Sequence, residues 1–174
     1  LPRSSAVPAG GPLQEGGQDL GRTIAVARGL EESYLFVQGP PGSGKTYTGA
    51  RLICELLAAG RRVGVAATSH KAIANLLDEV ERAAAESGTA FQGLKKSGGG
   101  NPESVYTSEH VTSSADARAF PPGDDVRLIA GTPWLWAREE LRGSVDVLFV
   151  DEAGQMALAD ALAIAGAGRG MVLL

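Results

Sequence analysis

The chain has 174 residues, enough for one domain with a hydrophobic core, and its 44% hydrophobic and 21% charged residues are ordinary for a globular protein. Aromatic residues make up only 5%, which favours packed α/β layers over an aromatic-rich β-sandwich. The formal net charge of -4 excludes a whole-chain positive field that would hold nucleic acid non-specifically, although a local basic groove stays open.

The Pro- and Gly-rich residues 1–21 predict a linker or a partial upstream module. They lack the apolar run of a signal peptide, and no window of the sequence approaches the ~18 apolar residues of a membrane span. The single cysteine, Cys54, excludes a disulfide framework, so we expect a cytoplasmic protein with no membrane partner. Because the first residue is Leu and the last four, "MVLL", read as the opening of a buried strand, we also expect a fragment of a longer chain.

From residue 22 onward, short apolar runs alternate with segments of helical spacing. The predicted helices cover 22–30, 45–59, the stretch after Ser69, 134–141 and 157–165, and the predicted strands cover 34–38, 61–68, 126–132, 145–150 and 171–174. Residues 86–125 interrupt this order with many turn formers and few apolar residues, which predicts a long insert that is flexible in part. The alternation predicts an α/β fold whose parallel sheet carries helices on both faces.

A glycine-rich loop follows the first predicted strand. The stretch "GPPGSGKT" matches the pattern G-x-x-x-x-G-K-[ST] in full, with an apolar strand before it and a helix after it. Glycines let backbone N–H groups close around a phosphate chain, and the start of the next helix points its positive end at the same phosphates. The residues predicted to hold the nucleotide are Gly39, Pro40, Pro41, Gly42, Ser43, Gly44, Lys45 and Thr46.

Two adjacent carboxylates, Asp151 and Glu152, end the predicted strand in "VDVLFVDEAGQ". A charge at the edge of a core is costly unless it is paired or binds a metal. Beside a phosphate loop, Asp151 and the Thr46 hydroxyl suit Mg²⁺, while Glu152 can orient and deprotonate an attacking water. The alternative is a pair of acids at the start of a helix. We therefore expect ATP and Mg²⁺ as the cofactors of this site.

Four stretches together, "QGPPGSGKT", "ATSHKAIANLL", "AGTPWLW" and "VDEAGQ", resemble the first RecA-like domain of superfamily 1 helicases. The resemblance is narrower to the 1B branch that includes the nonsense-mediated-decay RNA helicase, and to bacterial proteins that fuse a RecB-like nuclease to such a helicase. It covers most of residues 33–174. It implies a RecA-like P-loop NTPase domain over 22–174, incomplete at its C-terminus, and an ATP-hydrolysing helicase that acts on DNA or RNA. The implied partners are a single strand of nucleic acid, a second RecA-like domain of the same chain and a fused nuclease domain.

The resemblance also implies roles for individual residues. Gln155 would lie near the γ-phosphate and couple nucleotide state to domain movement, beside the catalytic Lys45 and Glu152. Thr68 and Ser69 would contact the nucleic-acid backbone, as would Thr132. Helix capping is the alternative for the first two of these hydroxyls.

Other interpretations of the sequence stay open. Trp134 or Trp136 could stack on a base, or lie buried under the sheet. The adenine-recognising glutamine of the family is not obvious, because Gln14 and Gln18 are poor candidates. A P-loop ATPase of another class, such as an AAA+ protein, would move no strand, and a regulatory domain would bind nucleotide without turnover. A transporter ATPase is disfavoured because no LSGGQ-like signature is present.

Overall fold

The computed structural model describes residues 20–30, 32–40 and 42–174. The predicted linker, apart from its last two residues, lies outside the described residues, as do Gln14, Gln18 and the loop residue Pro41. The described residues form one parallel sheet with helices on both faces, which confirms the predicted α/β fold.

In the part of the chain that the structure describes, seven parallel strands build the sheet in the order β1-β7-β6-β2-β5-β3-β4. The strands are β1 (Ser33–Phe36), β2 (Val63–Ala66), β3 (Gly93–Lys96), β4 (Val111–Ser114), β5 (Leu128–Gly131), β6 (Val145–Val150) and β7 (Gly168–Leu173). Because all of them run in the same direction, their carboxyl ends lie along one edge, where ligands bind in open α/β sheets.

Five α-helices of the described residues cover the two faces. They are α1 (Leu20–Arg28), α2 (Lys45–Ala58), α3 (His70–Ser87), α4 (Pro133–Trp136) and α5 (Leu158–Ile164). Side chains of α1, α2 and α3 pack with one set of strand residues, whereas α4 and α5 pack with the alternate set. The central strands are apolar on both faces because successive side chains of a strand point in opposite directions.

Helix α2 packs closely against the end of the central strands. A Cβ added to Gly49 would lie 2.4 Å from Leu174 Cδ1, so only glycine fits there without a shift of the leucine. Leu174 in turn donates its N–H to the Val150 carbonyl at 3.0 Å. This packing places the beginning of α2 beside the carboxyl ends of β6 and β7.

The segment 86–125 differs from its prediction as an insert, because it contributes β3 and β4 to the sheet. The sequence pattern missed both strands because each has only four residues and few large apolar side chains. In β3, Lys95 lies at a buried position, which hides the usual alternation of apolar and polar residues. β4 lies at the edge of the described sheet and carries three hydroxyl residues.

None of the helices in the described part of the chain has the length and apolar character needed to cross a membrane.

Candidate nucleotide site and the adjoining sheet edge

The glycine-rich loop connects β1 to α2 at the carboxyl edge of the sheet. Gly42 and Gly44 adopt φ angles of 79° and 82°, in the left-handed region that glycine enters without steric cost. A Cβ on Gly39 would lie 2.2 Å from Ser43 Oγ and 3.0 Å from Ser43 Cβ, so a larger residue at that position would force Ser43 to shift. The Lys45 ammonium donates to the Gly39 carbonyl at 2.7 Å and to the Pro40 carbonyl at 3.3 Å.

The first turn of α2 suits a phosphate chain. Its N-cap is Gly44, and no side chain caps the helix by a hydrogen bond. The N–H groups of the first turn therefore have no side-chain acceptor, and the helix dipole adds positive potential at the same place. Thr46 is half-buried in this turn. These donors, the closed loop and the lysine fit a bound nucleoside triphosphate.

Asp151 and Glu152 follow the last residue of β6, at the same edge of the sheet. Asp151 is only 6% exposed, and its N–H donates to the Ala66 carbonyl at 2.8 Å. Glu152 is exposed and donates its N–H to Asp151 Oδ1 at 3.0 Å. Glu152 also has a φ of 52°, a left-handed conformation that is uncommon for residues other than glycine. Hydrogen bonds on both sides, including Ala153 N–H to the Leu174 carbonyl at 3.0 Å, hold this turn in place.

The pKa of Asp151 is raised, chiefly because burial penalises its charged form. The nearby charge of Glu152 raises the pKa further, whereas the Glu152 N–H and the charge of Lys45 lower it. Asp151 thus lies within electrostatic reach of the loop lysine. A bound cation would oppose the cost of burying this carboxylate.

Strand β7 lies between the strand that leads into the loop and the strand that ends at the acids. The acids therefore do not follow the strand next to the loop strand, because β7 separates β1 from β6. Neighbouring strands lie about 4.8 Å apart, so the gap between the two strand ends is on the order of 10 Å. Among the described residues, no group of three or more His, Cys, Asp or Glu side chains could hold a metal ion.

Gln155 lies in a 3₁₀ turn, Ala153–Gln155, immediately after the acids. It is exposed, and its N–H donates to the Glu152 carbonyl at 2.8 Å. The amide side chain therefore projects from the same turn that holds the two carboxylates.

The three hydroxyl residues assigned to nucleic acid lie along the same edge, at the ends of the adjacent strands β2 and β5. Thr68 and Ser69 are exposed, and Thr132 is half-buried. Ser69 Oγ accepts a hydrogen bond from Ala72 N–H at 3.1 Å, so this residue caps α3. Thr132 is the N-cap of α4 but makes no side-chain cap bond, which leaves its hydroxyl available for a ligand.

The two tryptophans of α4 have different environments. Trp136 is 1% exposed, and its Nε1 donates to the carbonyls of Val65 and Gly131, at 3.1 Å each. Trp134 is 87% exposed and follows Thr132 by two residues. The buried interpretation is therefore correct for Trp136, and Trp134 is open to a partner.

The sequence interpretation placed the basic and glycine-rich stretch 95–101 in the insert, whereas the structure places it at the end of β3. It lies at the same carboxyl edge as the hydroxyl residues. The run "KKSGGGN" was a visible signal, but the expected insert concealed its place in the fold. Arg61 and Arg62 do not join it, because they precede β2 at the opposite edge and pair with Asp146 and Asp124 at 3.3 and 3.4 Å.

Comparisons with known proteins agree with this architecture. A family model described as an AAA domain matches residues 21–171. No curated protein matches the chain.

The solved structures that are similar to the chain include the following three proteins. The UvsW helicase from bacteriophage T4 is 14% identical with a TM-score of 0.57, and the match covers 88% of this chain and 50% of that one. The Type ISP restriction-modification enzyme LlaGI, solved with a DNA substrate mimic, is 16% identical with a TM-score of 0.56, over 92% and 17% of the two chains. An arterivirus nonstructural protein 10 helicase in complex with DNA is 21% identical with a TM-score of 0.49, over 84% and 29%. The chain spans half or less of each of these proteins, and the first two share its fold.

Proposed function

Because the chain belongs to the AAA domain family, we propose that it is an ATP-hydrolysing P-loop domain. The narrower proposal is that it is the first RecA-like domain of a superfamily 1B helicase, which moves along single-stranded DNA or RNA. One observation carries the proposal: the phosphate loop, the paired acids and the hydroxyl residues after β2 and β5 all lie at one edge of one parallel sheet. A nucleotide and a strand bound at this edge would contact the same rigid frame.

The loop and the start of α2 would hold the triphosphate. Backbone N–H groups of Gly42, Gly44, Lys45 and Thr46 would donate to its oxygens, and the Lys45 ammonium would exchange its loop carbonyls for phosphate oxygens. The Thr46 hydroxyl and the Asp151 carboxylate would hold Mg²⁺. When bound, magnesium neutralises charge on the β- and γ-phosphates. The buried position of Asp151 fits a carboxylate whose charge is needed only beside a cation.

Glu152 would act as the general base. Its exposed carboxylate stands next to Asp151 on a turn fixed by hydrogen bonds, so it can accept a proton from a water aligned for attack on the γ-phosphate. Gln155, in the following turn, would sense the presence of that phosphate and transmit it to a neighbouring domain. The strained backbone of Glu152 is consistent with a functional turn.

Thr68, Ser69 and Thr132 would contact the backbone of the nucleic-acid strand. Hydroxyl and N–H groups at helix starts hold phosphates without reading the base sequence, as a translocating protein requires. The proposal includes a second RecA-like domain of the same chain, which would close over the nucleotide, and a fused nuclease domain. The cytoplasmic location stays a prediction.

The family description, an AAA domain, also fits a second candidate, an AAA-type ATPase that would move no nucleic-acid strand. Such a protein would use the same loop and the same acids. It would make no use of Thr132, and its hydrolysis would not respond to nucleic acid. A regulatory domain that binds nucleotide without turnover would differ again, by keeping the loop and losing hydrolysis.

One measurement separates these candidates. It is the rate of ATP hydrolysis by the natural protein that carries this domain, with and without single-stranded DNA or RNA. We expect strong stimulation by one of the two strands and its loss in the Lys45→Ala variant. Equal hydrolysis with and without strands would reject the helicase assignment in favour of the AAA-type ATPase. Nucleotide binding without turnover in either condition would favour the regulatory domain.

A further inference from the structure

The side chain of Lys95 is a buried cation without an acidic partner in the described part of the chain. It is 1% exposed, and its Nζ contacts the Ser104 carbonyl and the Nδ1 atom of His70, the latter at 3.3 Å. Buried lysines usually pair with a carboxylate. Burial lowers the pKa of Lys95, so a nearby anion would stabilise its charged form.

His70 connects this lysine to the surface. When Lys95 is charged, its ammonium offers no acceptor, so Nδ1 accepts from it and the ring proton lies on Nε2. Nε2 lies 3.8 Å from the position that a Cβ on Gly98 would take, so it stands beside the glycine loop. Burial, and then the charges of Lys95 and Lys96, lower the pKa of His70 and keep the ring neutral, with its N–H available as a donor.

The glycine loop offers further donors. Ser104 Oγ accepts from Gly98 N–H at 2.8 Å and so fixes the start of the loop. The N–H groups of Gly99 and Gly100 have no acceptor among the described residues, and both residues are exposed. Gly100 has a φ of 75°, and a Cβ at either position would meet open space. Successive free N–H groups in such turns form concave anion sites.

The position of the loop relates it to the hydroxyl residues after β2 and β5. Strand β3 is the neighbour of β5, and β5 is the neighbour of β2, so the ends of β2, β5 and β3 follow one another along the edge at about 4.8 Å intervals. The first two strand ends carry Thr68 and Thr132. A nucleic-acid strand that contacts Thr68 and Thr132 along this edge would reach the glycine loop next.

We propose that the loop 97–101 and His70, seated on Lys95, form a binding site for a phosphate group of a single-stranded nucleic acid. The site rests on the proposed function, because it extends the row of backbone contacts from β2 and β5 to β3. It would add a contact that does not depend on base identity.

The test uses the 174-residue chain and a labelled oligothymidylate of about twelve nucleotides. Gly99→Asp puts a negative charge at an open position of the loop. Ala90→Asp makes the same charge change at an exposed residue before β3, at the opposite edge of the sheet. We expect Gly99→Asp to weaken binding about tenfold and to reduce the slope of log affinity against log salt by about 0.7, the share of one phosphate. Ala90→Asp should bind within about twofold of the parent chain.

Amide resonances of Gly99 and Gly100, followed during separate titrations with the oligonucleotide and with inorganic phosphate, distinguish the possible failures. If the parent chain binds the oligonucleotide while Gly99→Asp binds equally well with the same salt slope, the loop site is wrong and the proposed function stands. If these amides respond to inorganic phosphate but the chain binds no oligonucleotide, the assignment of the loop to a nucleic-acid strand is wrong, and ATP hydrolysis by the natural protein decides the helicase proposal separately. Oligonucleotide binding that shifts both amides and is weakened by Gly99→Asp supports the site.

Discussion

The Lys45 ammonium donates a 2.7 Å hydrogen bond to the carbonyl oxygen of Gly39, which begins the same loop. A cation binds charged phosphate oxygens more strongly than neutral carbonyls, so a nucleotide would draw the ammonium away from Gly39. We therefore expect Lys45→Ala to weaken the binding of a fluorescent ATP analogue at least about tenfold, or about 1.4 kcal/mol.

Arg118→Ala is the matched control for this loss of a positive charge. Arg118 is exposed and pairs with Asp116 at 3.0 Å, outside the phosphate loop. We expect it to bind the analogue as the parent chain does. If the Lys45→Ala variant binds the ATP analogue as tightly as the parent chain does, the assignment of the loop to phosphate binding is wrong.

Glu152 offers a separation of binding from hydrolysis. The Glu152 carboxylate is exposed, unlike that of Asp151. Glu152→Gln should therefore leave the nucleotide affinity within about threefold of the parent chain, while it removes the general base. The expected fall in the hydrolysis rate is about 10²–10⁴-fold. Rapid-quench measurement of ATP turnover, beside an equilibrium titration, checks both halves. A Glu152→Gln variant with normal turnover would show that another group accepts the proton.

The sequence predicts the nucleotide side of the site well, because its chemistry depends on local pattern. The spacing from Gly39 to Thr46 and the acids after an apolar strand are each readable in one short stretch. Their meeting at one edge follows from the parallel strand order. The strand that separates them, β7, could not be placed from sequence because its position depends on long-range pairing.

Strands β3 and β4 were harder to predict, again for a physical reason. The four-residue strands β3 and β4 bury only a few side chains, and one of these is Lys95. A buried lysine and a run of glycines look like a loop to any pattern based on hydrophobicity. The different exposure of Trp134 and Trp136 likewise depends on the direction in which a short helix packs.

The stability of the chain should depend on pH through Asp151. Burial raises the pKa of Asp151, so binding of a proton by this carboxylate favours the folded state. The resulting stability is fully present below the ordinary aspartate pKa and is lost as the pH rises through the raised value. Asp151→Asn should therefore be more stable than the parent chain at pH 7, and the difference should shrink near pH 4. Urea unfolding at both pH values measures it.

Asp125→Asn provides the control for Asp151, since Asp125 is exposed in a loop before β5. We expect this change to leave the unfolding free energy nearly the same at both pH values. If Asp151→Asn is less stable than the parent chain at pH 7, the carboxylate makes a favourable contact that outweighs its burial, contrary to the argument from its pKa.

Glu81 should give the opposite pH dependence. It accepts hydrogen bonds from the Ser108 hydroxyl and from the N–H and Nδ1 of His110, the last two at 3.2 and 2.8 Å, and so ties α3 to the start of β4. Burial alone would raise the pKa of Glu81, but these hydrogen bonds outweigh it and lower the pKa. The stability that the charged Glu81 contributes is therefore fully present above the ordinary glutamate pKa and is lost as the pH falls through the lowered pKa.

We expect Glu81→Gln to lower the free energy of unfolding by about 1–2 kcal/mol at pH 7, since hydrogen bonds to charged groups contribute most. The difference from the parent chain should close as the pH falls. Glu109→Gln, at a neighbouring exposed position, is the control for loss of a surface charge. An unchanged unfolding free energy in Glu81→Gln would mean that β4 is held by its backbone pairing with β3 alone.

The two tryptophans of α4 should separate stability from strand binding. Trp136→Ala removes a buried ring and two hydrogen bonds, so we expect a loss of about 3–5 kcal/mol in unfolding free energy. Trp134→Ala should leave stability within about 0.5 kcal/mol and weaken oligonucleotide binding by about 1–3 kcal/mol, the range for one stacked base. Quenching of tryptophan fluorescence by the bound strand should disappear in Trp134→Ala. Quenching that persists, with unchanged affinity, would remove Trp134 from the path of the strand.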